Sequence, residues 1–409
     1  MLNGEFFIIW WLFLKPKLML TRLKYAVTLS VILLAAFSCK SPDPLDDLFV
    51  SNPNATKETR ALYYNLKQIA GERMMFGHQD AVAYGIGHDH EVGGWDAEID
   101  GEEFRSDVHD AIGSYPAVFG WDFGKIGNTH NIDSVSFDLI RKWMIEVYER
   151  GGINTVSWHE DNPATGGSAW DTFDAVKHIL PGGERHEHFR SRLSLVADFF
   201  LSLETSDGTP VPVIFRPYHE HTGGWFWWGT GPSSREEFIE LWRFTHYYLT
   251  EERGCTNLLF SYSPDIFRTR ERYMERFPGK EYVDVLGFDN YHDLRTEDGV
   301  PLAIEQMRIV VELAQEMDKV AALTETGYNM IPQADWWTRN ILDPIKNDPV
   351  ARNMAWVLVW RNENWMSEGS YVHHFAPYPG HPSVPYFKQF RDDPFTAFLE
   401  DLPDMYSVN

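Results

Sequence analysis

Two glutamates close separate apolar runs in this chain, Glu220 at the end of VPVIFRPYHE (211–220) and Glu325 inside VAALTETG (320–327). Strand-like runs of this kind bring their last residues to one end of a sheet, so the two carboxyl groups face a common mouth. A carboxylate pair in such a place is the machinery of glycoside hydrolysis: one group protonates the leaving oxygen while the other attacks the sugar or activates water. Trp225, Trp227 and Trp228 follow the first glutamate directly, and indole rings stack on the apolar faces of sugars. The plainer alternative is a core tryptophan cluster beside two half-exposed strand-end glutamates.

The pair needs elements to hold it. Eight short apolar runs succeed one another: 73–79, 116–123, 153–160, 211–220, 257–265, 283–292, 320–327 and 354–363. Helix-period stripes lie between most of them, among them Phe137/Ile140/Met144/Val147, Phe238/Leu241/Trp242/Leu249 and Ile304/Met307/Val311/Ala314. Ser234 with Glu237 three residues on offers a capping box for the second stripe. An earlier amphipathic segment carries Leu62, Leu66 and Ile69. Strands alternating with helices predict a parallel sheet, and eight repeats predict an α/β fold of one domain, a single (β/α)8 TIM barrel. An open doubly wound sheet is the competing architecture, but no glycine-rich phosphate loop follows the first run.

Each run carries a polar or aromatic residue at its C-terminal end: His78, Asp122, His159, Glu220, Asp265, Tyr291, Glu325 and Trp360. That is the end on which barrel enzymes build their sites. Long loops after runs one, three and eight carry Trp95, Trp170 and Trp365, and the expectation is that they shape a cleft and present these rings to substrate.

Composition bounds the partners. With 60 acidic against 36 basic residues the formal charge is -24, which excludes nucleic acid because binding it requires a basic face. An aromatic share of 15% exceeds what one core needs and suggests ligand platforms. Residues 22–39, RLKYAVTLSVILLAAFSC, form a basic start, an apolar stretch and a cysteine, the pattern of a secretory signal too short for a comfortable membrane span. The ending AFSC resembles a bacterial lipobox, so Cys39 is expected to be lipidated and the protein to be exported as an outer-membrane lipoprotein, on the periplasmic face or the cell surface; periplasmic release is the alternative without lipid. Met19 is the expected start, with the upstream FFIIWWLFL as a misassigned extension or a second hydrophobic segment. The expected organisation is a signal peptide over 1–38, a linker over 39–54 and a catalytic domain over 55–409. Cys255 is then the remaining thiol, which excludes a disulfide framework within the mature chain.

The segment Arg216–Gly229 resembles the acid/base signature of glycoside hydrolase family 26, the β-mannanase family. TETG around Glu325 is similar to that family's nucleophile strand, and 157–172 and 359–364 (VWRNEN) also resemble family segments, in the family's order, from about residue 55 to the C-terminus. The resemblance implies a retaining β-mannan hydrolase with Glu220 as acid/base and Glu325 as nucleophile. It further implies Trp225 and Trp360 as stacking platforms, Trp170 as an extension, His159 and Arg361 as hydrogen-bonding residues on the non-reducing side, and Tyr291 and His219 as orienting partners of Glu325. Without the resemblance, His219 reads equally as a satisfied strand histidine, Trp360 as core, and Arg361 as the ion-pair partner of Glu363.

The expected partner is a β-mannan polysaccharide or oligosaccharide, with the chain a monomer that meets membrane only through its lipid anchor. No cofactor is expected. The pieces HDH (88–90), HEH (186–188) and HH (373–374) lack a shared ligand set at strand or helix spacing, so no metal is expected either. The charged run RTRERYMER (268–276) reads as a solvated helix face. The leading reading is an endo-β-1,4-mannanase. The alternatives are an exo-acting, mannobiose-releasing enzyme, a family member acting on mixed-linkage β-glucan or xylan, and a noncatalytic glycan-binding lipoprotein.

Overall fold

The computed structural model describes residues 43–88, 94–101, 104–363 and 373–408. They belong to two units, Met1–Asp47 and Leu48–Asn409. Of the first, only residues 43–47 are described; they form a turn closed by the Asp46 amide on the Asp43 carbonyl. The expected signal peptide, Cys39, Trp365, and Asp89 and His90 of the first histidine piece lie outside the described residues.

In the second unit eight parallel strands close into a barrel: β1 (Met74–Gln79), β2 (Val118–Asp122), β3 (Ile153–Trp158), β4 (Val213–Pro217), β5 (Leu258–Tyr262), β6 (Val285–Asn290), β7 (Val320–Thr326) and β8 (Trp356–Val359). Each pairs with the next in the chain, and β8 returns to β1 with Met75 opposite Trp356 and His78 opposite Val359. Closure removes the sheet edges and excludes the open doubly wound alternative. The fold is the expected (β/α)8 barrel.

Alternation along the strands sorts two apolar clusters. Met75, Val118, Ile153, Ile214, Leu259, Val285, Val320 and Trp356 point into the barrel at the N-terminal ends of their strands, where Leu62, Tyr63, Leu66 and Ile69 of helix α1 (Lys57–Ile69) join them and plug the barrel floor. Outward residues such as Phe119, Phe215 and Phe288 pack under the surrounding helices. The main ones are α2 (Phe137–Glu149), α3 (His186–Leu201), α4 (Arg235–Tyr247), α5 (Val300–Met317) and α6 (Val384–Asp392). The three predicted stripes fall on α2, α4 and α5 with all their residues buried, Leu249 lying just past the end of α4. The capping box of α4 forms as expected, the Ser234 side chain accepting from the Glu237 amide. The segment expected to be linker is partly docked on the barrel. The Ser51 amide donates to Asp284 at 2.6 Å and the Asn52 side chain donates to the Cys255 carbonyl at 2.8 Å.

Candidate active site

With the floor plugged by α1, the open face is the one at the strand C-termini, and two local departures from regular strand geometry aim the glutamates there. In β7 the register against β6 slips between Phe288/Leu323 and Asp289/Glu325, so Thr324 is an extra residue. Strict alternation would turn Glu325 outward with Leu323. The bulge instead brings both Thr324 and Glu325 to the interior beside Asp289. At the end of β4, Tyr218 and Glu220 both adopt positive φ, +51° and +53°, a conformation that costs a non-glycine residue about 1–3 kcal/mol. Tyr218 is thereby turned into the aromatic wall, its hydroxyl 2.8 Å from that of Thr245. The Glu220 amide is fixed on the Ser263 carbonyl at 2.7 Å.

Glu325 is held at both oxygens. Arg216, an inward residue of β4, donates to Oε2, and the Tyr291 hydroxyl, just beyond β6, donates to Oε1 at 2.7 Å. The same guanidinium donates to Asp289 Oδ2 at 2.7 Å, while Asp289 Oδ1 accepts from Ser263 at 2.8 Å and Thr324 at 2.9 Å. One buried cation thus serves two buried carboxylates. Burial, reinforced by the Glu325 charge, pushes Asp289 up to about 8 against the pull of Arg216. Burial also pushes the Tyr291 hydroxyl well above the usual phenol range, with Glu325 adding to it, so Tyr291 remains a donor.

Glu220 meets the opposite environment. Burial first, then the charges of Glu325, Asp289 and Asp265, raise its pKa well above the ordinary carboxylate range, opposed by one hydrogen bond from the Trp225 indole at 2.8 Å. The two carboxyls therefore stand in different environments: one whose charged form is disfavoured, the other an acceptor for Arg216 and Tyr291.

Of the remaining expected residues, His159 lies one residue past β3 with Nδ1 2.7 Å from Asp122 Oδ2. Burial disfavours its charged ring, but the Asp122 carboxylate outweighs this and raises its pKa. Trp170 is 50% exposed and stacks at 5.3 Å on His159, with Phe226 at 5.5 Å. Trp225 is 39% exposed beside Glu220. Trp360 is half-buried, edge-on to His159 at 6.4 Å. These three rings border one mouth.

Several expectations need correction. Trp227 and Trp228 are fully buried, their indoles donating to the carbonyls of Glu160 and His219 at 2.9 and 2.8 Å; within that cluster only Trp225 is open to a ligand. Trp95 is buried too, its indole on Asp107 at 2.9 Å, because Asp107 also ties the Ile86 and Gly87 amides and Asn362 into the base of the first loop. His219 makes no hydrogen bond to Glu325 among the described residues. It packs against His159 at 4.6 Å and Phe226 at 5.3 Å, and burial, aided by Arg216 and His159, drives its pKa well below the usual imidazole range. His78 is buried on the same side of β1 as Phe76, away from the mouth, and burial lowers its pKa to about 3. Arg361 needs no such correction: it pairs with Glu363 at 2.9 Å and Asp133 at 3.3 Å, as the sequence reading allowed, and its Nη1 donates to the Tyr84 hydroxyl at 3.3 Å.

Arg216 and Asp289, central to the site, were missed. Their signal was present: an arginine in VIFRP and an aspartate in VLGFDN are single charges inside otherwise apolar strands, and buried charges occur in pairs.

The fold and site together define a barrel of the glycoside-hydrolase type, with two carboxyls in contrasting environments at the C-terminal mouth and aromatic rings around them. Residues 51–371 match the family model for glycosyl hydrolase family 26. The chain belongs to that family. Among solved structures, a GH26 β-mannanase from Bacteroides ovatus is 42% identical, with TM-score 0.79 over 86% of this chain and 98% of that one. Among curated relatives, a mannan endo-1,4-β-mannosidase of Bifidobacterium adolescentis is 33% identical over 76% of this chain, which spans 31% of that longer protein. A second, from Bacillus subtilis, is 30% identical over 66% of this chain and 73% of its own length.

Proposed function

We propose that this protein is a retaining mannan endo-1,4-β-mannosidase that hydrolyses mannan, glucomannan or galactomannan by double displacement. Glu325 attacks the anomeric carbon while Glu220 donates its proton to the departing glycosidic oxygen. Glu220, now a carboxylate, then takes a proton from a water whose oxygen bonds to the anomeric carbon as the bond to Glu325 breaks, which frees the sugar and restores both carboxyls. The observation that carries this reading is the contrast between the two carboxyls: Glu325 clamped by Arg216 and Tyr291, Glu220 with its pKa raised by burial and by the Glu325 charge. The substrate class is supported by the relatives, two named as mannan endo-1,4-β-mannosidases and one solved structure as a GH26 β-mannanase. Trp225, Trp360 and Trp170 then serve as sugar platforms, and His159 and Arg361 as partners for sugar hydroxyls.

The test is rescue by azide with an activated aryl mannoside. Glu220→Ala still forms the glycosyl-enzyme, because the phenol leaves without a proton, and azide releases it as the β-mannosyl azide. Glu325→Ala loses the first step on every substrate. An α-azide from Glu220→Ala, or rescue of neither variant, refutes the retaining assignment. Early mixed oligomers from linear mannan support endo action, and mannobiose alone refutes it.

For the exported state, the support is the segment RLKYAVTLSVILLAAFSC. Cys39 carries lipid and Cys39→Ala yields a soluble, active enzyme. Identical detergent partitioning of the two proteins refutes the anchor.

A further inference from the structure

Arg276 ends the charged run RTRERYMER, yet it is 2% exposed rather than part of a solvated face. Its guanidinium lies 4.5 Å from the centre of the Phe238 ring. Nη1 donates to the carbonyls of His221 at 2.7 Å and Trp228 at 3.1 Å. Nη2 donates to the Ser233 carbonyl at 2.8 Å, the Ser233 hydroxyl at 2.6 Å and the Ser234 carbonyl at 2.8 Å. These partners are the first residue, the middle and the end of the loop that leads from Glu220 to α4. A planar cation with several donors can gather carbonyls converging from different directions, which a point charge such as lysine does less well. Arg272 adds a bond to the Thr222 carbonyl at 3.1 Å.

That loop holds the environment of the acid. Trp225, whose indole donates to Glu220, sits within it, and Gly223 and Thr230 cross-tie it through the Glu220 and Gly223 carbonyls at 2.9 and 2.7 Å. Glu220 itself stands at positive φ, a conformation that persists only where its surroundings over-determine it. We propose that Arg276 is a positioning residue for the acid/base step: by pinning both ends and the middle of this loop it fixes Glu220 and Trp225 relative to the scissile oxygen, although it touches neither.

This inference rests on the acid/base reading of Glu220, and the experiment separates the two. Turnover of a mannan oligosaccharide, whose leaving oxygen needs a proton, is compared with the first-turnover phenol burst from an activated aryl β-mannoside, which does not. Arg276→Ala lowers kcat/KM on the oligosaccharide by on the order of a hundredfold, the cost of small misplacement of a catalytic group, and leaves the burst within about threefold. Guanidinium added to the assay restores part of the lost turnover. Arg276→Lys, which keeps the charge but not the fork, shows the same split in weaker form and stands in if the alanine variant does not fold. Equal losses on both substrates, or no loss on either, overturn the proposal. Glu220→Ala measured alongside must show the split at full size; if it does not, the acid/base reading of Glu220 has failed and the positioning role falls with it.

Discussion

Replacing Trp225 by phenylalanine keeps a ring for stacking but removes a hydrogen bond that favours the charged form of Glu220. The indole nitrogen lies 2.8 Å from Glu220 Oε2. A hydrogen bond to a charged group contributes about 1.5–3 kcal/mol, but Trp225 is 39% exposed, so water replaces part of the lost donor. Halving the lower-middle of that range leaves about 1 kcal/mol, or roughly 0.7 pKa unit. The sign follows from the surroundings. Burial and the Glu325, Asp289 and Asp265 charges already hold the pKa of Glu220 high against this bond, so without it the pKa rises further. A poor leaving group requires the proton on Glu220, and activity at high pH is lost as that proton dissociates. The basic limb of kcat/KM against pH, measured on a mannan oligosaccharide, therefore moves upward by roughly 0.7 unit in Trp225→Phe. A limb that stays in place or moves to lower pH refutes the assignment of Glu220 as the acid whose proton Trp225 tunes.

Tyr291→Phe removes the 2.7 Å donor to Glu325 and lowers kcat by roughly tenfold to a hundredfold with little change in KM, read by steady-state kinetics; unaltered kcat contradicts the clamp. Trp228→Ala excavates the core, lowering stability by about 3–5 kcal/mol, whereas Trp170→Ala, at an exposed ring, raises KM without moving Tm. Thermal melts and kinetics on the two variants separate core from platform. Gly287→Ala places a Cβ 2.4 Å from Thr324 Cγ2, forcing Thr324 off Asp289, and costs about 1–3 kcal/mol together with turnover, measured by denaturant unfolding and assay. Arg361→Ala weakens turnover of long oligomers more than short ones; equal losses on all lengths mean that its pairs with Glu363 and Asp133 support the fold instead.

Much of the fold was legible because each strand–helix unit carries its own periodicity. The stripes on α2, α4 and α5 and the cap at Ser234 are local features. Their burial follows from 3.6-residue spacing whichever neighbour covers them. Most strand ends were readable too, His78 excepted, since an apolar run that stops at a charged or aromatic residue marks where the barrel opens. The tryptophans were not. Trp225, Trp227 and Trp228 are near neighbours of one residue type, and which of them faces solvent depends on how the loop folds back on β3 and α4. Trp95 likewise looked like a cleft ring until Asp107 drew it inside.

The sequence by itself determined that eight strand–helix repeats would form and that Glu220 and Glu325 would stand at one end of two of them. Those are consequences of local pattern. Only the tertiary structure decided that the two carboxyls differ. Thr324 is an extra residue relative to a partner strand more than thirty positions away, and without that slip Glu325 would face the helices. Arg216 divides its charge between Asp289 and Glu325 from two other strands, and Arg276 gathers the loop beside Glu220 from the segment that follows the neighbouring strand β5. Charge balance and burial depend on distance in space rather than along the chain, so no pattern read in one segment could have assigned them.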